Sequence, residues 1–121
     1  MSDFLGAALA AAVVAGANAG DGSAPDSGLQ GLWVAEGVSQ AACRIGPGGE
    51  GVLAVDRDGF SVTETACRFG GKAPAGFSAV GGRMSCSSEG ETFPVQVAMA
   101  RQGNLAGLSF DGGAMTVFRR C

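Results

Sequence analysis

Seven short apolar clusters, each bounded by turn-forming residues, run through the chain from Leu32 to Phe118. They are Leu32-Trp33-Val34, Val52 to Val55, Phe60 to Phe69, Phe77 to Cys86, Phe93 to Ala100, Leu105 to Phe110 and Met115 to Phe118. Between them stand Asp58-Gly59, Gln102-Gly103-Asn104 and Asp111-Gly112-Gly113, residues that accept positive φ and so suit tight hairpins. Clusters this short and this closely spaced return on themselves, which makes neighbouring strands antiparallel. The alternation agrees: Val95, Val97 and Met99 share one face with Gln96 on the other, and Phe60 and Val62 oppose Ser61 and Thr63. Glycine supplies 22 of the 121 residues. That works against long helices, because each interior glycine costs about 1 kcal/mol relative to alanine.

The expected fold is therefore all-β, a small antiparallel up-and-down meander or lipocalin-like barrel of about seven strands. Closure is favoured because it removes exposed sheet edges. The chain is long enough for one domain, and 46% apolar residues are enough to bury a core.

Residues Phe4 to Ala19 are uncharged and rich in Ala, Val, Leu and Gly, and end in Ala17-Asn18-Ala19, the small-residue pattern read by a signal peptidase. Residues 1–19 read as a signal peptide, although Met1-Ser2-Asp3 departs from the usual basic start. The stretch is short for a bilayer span and is followed by Gly20-Asp21-Gly22-Ser23, not by the basic residues of a stop-transfer segment. Residues 20–28 form a Gly/Ser/Asp/Pro-rich arm, and the β-domain covers 29–121. The expected location is periplasmic or secreted, with no stable membrane span after cleavage.

Cys43, Cys67, Cys86 and Cys121 all lie in the part that would be exported. No C-x-x-C and no His is present, so zinc and redox-motif readings fail, and two structural disulfides are expected. Four cysteines allow three pairings, which sequence alone leaves open. A hairpin centred near Gly76 would set Cys67 opposite Cys86 and leave Cys43 to meet Cys121, a staple that a closed barrel permits.

The net charge of −3 offers no basic footprint for a nucleic acid. Without His, neither a Ser-His-Asp nor a Cys-His site can be assembled. Gly46-Pro47-Gly48-Gly49-Glu50-Gly51 matches the letters of a dinucleotide loop but leads into strand-like Val52 to Val55 and not a helix. Asp56-Arg57-Asp58-Gly59 resembles the start of a calcium loop, yet Cys67 stands where the bidentate Glu belongs, so a hairpin turn is expected. Ser78 has only Lys72, the single lysine, as a conceivable base. Glu89 and Glu91 suggest, at most, a carboxylate pair for a glycosidase-like hydrolase; a solvated turn is the simpler reading. Trp33 is expected in the core or as a plug at the barrel base, with a binding anchor as the functional alternative, while Arg119 and Arg120 are expected to screen an edge or pair with the terminal carboxylate. No catalytic residue, metal or cofactor is assigned.

Two resemblances follow. Gly31-Leu32-Trp33, Cys43, Thr65-Ala66-Cys67, Cys86-Ser87-Ser88-Glu89-Gly90-Glu91 and Arg120-Cys121 resemble, in order, many short uncharacterised exported four-cysteine proteins of proteobacteria. That likeness implies no activity. Leu29-Gln30-Gly31-Leu32-Trp33-Val34 with Cys43, then Glu64-Thr65-Ala66-Cys67, is similar to the first half of bacterial periplasmic inhibitors of serralysin-type metalloproteases. The second resemblance implies a small barrel, an N-terminal arm in the protease cleft, and pairing of Cys43 with Cys67, leaving Cys86 for Cys121. The arm residues would be Gly20, Asp21, Gly22 and Ser23. The functional expectation is a non-catalytic exported protein-binding module. The alternatives are a protease inhibitor acting through its arm, a small-ligand carrier and a structural envelope protein.

Overall fold

A computed structural model describes residues 28–121. Residues 1–19, read above as a signal peptide, and residues 20–27 of the expected arm lie outside the described residues. Eight strands form a closed antiparallel barrel in strict sequence order: β1 (Gly31–Ala35), β2 (Val52–Val55), β3 (Gly59–Val62), β4 (Thr65–Arg68), β5 (Ala79–Ser88), β6 (Glu91–Gln102), β7 (Leu105–Phe110) and β8 (Thr116–Arg120). Each strand pairs with the next, and β8 returns to β1.

The expected count of seven is corrected to eight. The Phe60 to Phe69 cluster divides at Thr63-Glu64, which joins Val62 to its partner Thr65 in a two-residue turn. Thr63 takes φ 50, a left-handed conformation that a β-branched residue adopts at a cost. The other expected hairpins form at the places read, although at Asp58-Gly59 neither residue takes positive φ and Gly59 already begins β3. Asp56 caps its own hairpin, its Oδ1 accepting from the Asp58 and Gly59 amides at 2.7 and 2.9 Å. Asp111-Gly112 and Glu89-Gly90 both take positive φ, as a type I′ turn requires.

Alternation fills the inside. Trp33, Leu53, Phe60, Met84, Val95, Val97, Met99, Leu108 and Phe118 are all buried in one cluster, with Phe69 and Phe110 packed against it. The outward partners, such as Ser61, Ser85 and Gln96, stay half-buried or exposed. The Cys67–Cys86 disulfide lies within this core, its residues 2% and 1% exposed and its Cα atoms 4.0 Å apart across the β4–β5 pair.

Val34 and Val52 form a second, smaller apolar layer on the outer face of β1 and β2, fully buried yet separate from the inner cluster. The 3-10 helix Gln40–Arg44, which the sequence did not foreshadow, packs against β1 on this side of the wall. Cys43, on that helix, is bonded to Cys121 beyond the end of β8, with Cα atoms 5.7 Å apart. Both disulfides thus follow the hairpin argument. The pairing implied by the inhibitor resemblance, Cys43 with Cys67, is not the one formed: Cys67 is an inward residue of the barrel wall, while Cys43 lies on the 3-10 helix outside it.

Candidate functional site

The base of the barrel is built by the register of β1 and β8. Arg120 lies two residues beyond the inward-facing Phe118 and pairs with Trp33, so its side chain also turns inward. Its guanidinium stands 3.9 Å from the Trp33 ring centroid, and its Nη1 and Nη2 donate to the Gln30 and Gly28 carbonyls, each at 2.7 Å. Trp33 Nε1 donates to the Leu29 carbonyl at 3.0 Å, and the Leu29 amide donates to the Phe77 carbonyl at 2.6 Å. Residues 28–30 are thereby strapped across the base. Gly31 is required there, since its φ is +122 and a Cβ would stand 2.6 Å from the Arg120 guanidinium. The expectation that Arg120 screens an edge is corrected: the cation closes the barrel over a tryptophan face, an arrangement that stabilises by about 1 kcal/mol or more where water is excluded. Arg119, one residue away, points outward and is exposed as expected.

Among the described residues, the outside of the wall carries open hollows, of which two concern the sequence candidates. One, of about 440 Å³, runs between Pro47 and the outer face of β2 to β4, and is lined by Leu32, Ala54, Ser61, Ala66 and Arg68. The other, of about 400 Å³, lies at the turn end, where Ser61, Thr63, Ser87 and Thr92 present hydroxyls beside Glu64 and Glu89. Both of these carboxylates are exposed. Glu91, at the start of β6, is exposed too and does not line that hollow.

Lys72 pairs with Asp58 at 3.6 Å, both side chains 59% exposed, while the Ser78 carbonyl accepts from the Arg101 amide at 2.9 Å. Gly46 to Gly51 is a turn-rich loop leading into β2. Among the described residues, no three His, Cys, Asp or Glu side chains come together as metal ligands. No described helix is long and apolar enough to cross a membrane. Gly20, Asp21, Gly22 and Ser23 lie outside the described residues. The chain rejoins the described part at Gly28, which is buried and whose carbonyl accepts from Arg120 and, at 3.4 Å, from Arg101.

No family model matches the chain, and no curated protein or solved structure is similar to it. The fold and the geometry above define a small disulfide-stapled β-barrel with a packed interior.

Proposed function

We propose that the chain is a non-catalytic binding module of an oxidising compartment, periplasmic or secreted, which recognises a protein partner with its outer surface. The filled interior carries this reading. Trp33, Phe60, Met99, Leu108 and Phe118 occupy the space that a lipocalin-like carrier would leave for a small ligand, so recognition falls to the outside of the wall. Two disulfides suit a compartment in which thiols are oxidised. A hydrolase working with carboxylates alone needs a general acid held in an apolar setting, and the exposed Glu64 and Glu89 lie in an open hollow instead.

A second reading, inhibition of a secreted metalloprotease through Gly20 to Ser23, draws support from one observation. The strap at Gly28, held by Arg101 and Arg120, fixes the point from which an upstream arm would leave the barrel, while the arm's own ordering cost stays with its first residues. The two readings separate in one experiment. Protein starting at Gly20 and a variant lacking Gly20 to Ser23 are each used to capture partners from periplasmic extract, and each is titrated against a secreted zinc protease. A partner identified with both proteins, without inhibition, supports the outer-surface reading. Inhibition lost with the arm, at unchanged melting temperature, supports the inhibitor. No partner and no inhibition would overturn both.

A further inference from the structure

We propose that the edge of β5 from Ala79 to Arg83 is a docking site for an extended, acidic peptide segment of a partner protein, which joins the wall as an added strand. This names the partner chemistry of the binding role proposed above and rests on that role.

The wall is closed in its strand order but not along the full length of its longest hairpin. β4 reaches only from Thr65 to Arg68, so it covers Ser85 to Ser88 and leaves the first half of β5 paired with β6 alone. The 4.0 Å Cα separation of Cys67 and Cys86 marks a pair that does not exchange hydrogen bonds, so the backbone groups aimed at β4 belong to Ser85 and Ser87. By the same alternation Arg83, Gly81 and Ala79 aim theirs at that side. The Ser78 carbonyl agrees, since it turns the other way to accept from Arg101 on β6.

Beyond Arg68 the chain leaves this edge. The Phe69 amide donates to the Asp58 carbonyl and the Ala73 amide to the Arg57 carbonyl, both across to the loop before β3. Among the described residues, the amides and carbonyls of Ala79, Gly81 and Arg83 have no backbone partner. Gly81 and Arg83 are exposed.

The opposite flank of the hairpin shows how such an edge is closed. The first half of β6 lacks a strand partner on its β7 side, where ladder pairing stops at Val97 and two further bonds join Asp111 to Gln96: the Asp111 amide donates to the Gln96 carbonyl, and the Gln96 amide donates to the Asp111 carboxylate at 3.0 Å. Beyond Gln96 the next position on that edge is Pro94, which has no amide to offer. On β5 the equivalent position is Gly81, which offers both backbone groups and no side chain to obstruct a visitor.

Charge selects the visitor. Arg68 pairs with Ser85, and Arg83 lies two residues from Ser85, so two exposed cations flank the start of the free edge on the outer face. An incoming strand supplies backbone groups to Gly81 and Arg83, and an acidic side chain beside the arginines. Backbone pairing gives affinity in such an arrangement and the side chains give selectivity.

The test uses the full chain and two capped eight-residue peptides, one alternating valine with aspartate and one alternating valine with lysine, followed by backbone amide NMR and hydrogen exchange. Without peptide, the Ala79, Gly81 and Arg83 amides exchange fast while Gly82 and Met84 are protected. The aspartate peptide shifts Arg68 and Ala79 to Arg83, slows those amides, and binds about tenfold or more tighter than the lysine peptide. Gly81→Pro removes the free-edge amide without touching a bond to β6 and abolishes the effect. Arg83→Glu reverses the peptide preference, and it decides the matter if the proline variant does not fold. Equal binding of the two peptides, shifts confined to other residues, or no binding of either would overturn the docking site. A partner captured from extract would then leave the broader binding role standing. Protection of the edge amides before peptide is added would also overturn it, because the edge would then be taken by a second copy or by the chain itself.

Discussion

The two disulfides hold the same barrel in opposite ways. Cys67–Cys86 bridges adjacent strands from inside the wall and is almost wholly removed from water, whereas Cys43–Cys121 clips the outer 3-10 helix to the chain end, with Cys121 exposed and Cys43 half-buried. Sequence separation ranks them the other way, 19 residues against 78. Chain entropy alone therefore gives about 3 kcal/mol for the inner bridge and about 4.5 for the outer one. Burial adds a packing contribution only to the inner pair, and only the outer pair is open to a reductant. Loop length thus bears on the unfolded chain, while position in the wall decides what happens to the folded one.

Removing the inner pair is the severest way to test this contrast. Cys67→Ala with Cys86→Ala should cost about 5 kcal/mol or more, loop entropy plus the buried volume lost, a large part of what a domain of this size possesses. Urea unfolding monitored by near-ultraviolet circular dichroism checks it, and a loss of about 3 kcal/mol or less would mean that the buried sulfurs add nothing to packing. Cys43→Ala with Cys121→Ala comes next, at about 4.5 kcal/mol, with the barrel still closed because β1 and β8 remain hydrogen-bonded. Faster amide exchange in residues 36–51, with β4 and β5 unchanged, is the expected signature. Val52→Ala is milder, about 2 kcal/mol, since it removes buried apolar volume from the outer layer and none from the inner cluster. Thr63→Gly should be the smallest effect, within about 1 kcal/mol of the native protein, because the relief at φ 50, which suits glycine better than threonine, is offset by loss of the bond that Thr63 Oγ1 accepts from the Gly51 amide at 3.3 Å.

Much of the barrel was legible in the sequence because it is built from local rules. Alternation placed Val95, Val97 and Met99 inside, and turn residues such as Asp58-Gly59 placed the hairpins. The inner bridge followed from the same arithmetic, since Cys67 and Cys86 are equidistant from a loop centred near Gly76. The division at Thr63-Glu64 left no trace, as neither residue is one that tight turns usually select. The inward turn of Arg120 was hard to see because a charge near a chain end is ordinarily solvated; strand period carried the signal, as Arg120 follows Phe118 by two. The free edge of β5 was illegible for a different reason. It depends on where β4 stops, a boundary set by the loop returning to Arg57 and Asp58 and not by any residue of β5.

Stepwise reduction of the native protein, with alkylation and peptide mapping after each step, tests the stapled barrel most directly. Under mild dithiol, Cys43 and Cys121 should be alkylated together while the fold and the Cys67–Cys86 linkage persist. Cys67 and Cys86 should react only when the barrel unfolds. Any peptide linking Cys43 to Cys67, or reduction of both bridges at one rate, would contradict the account.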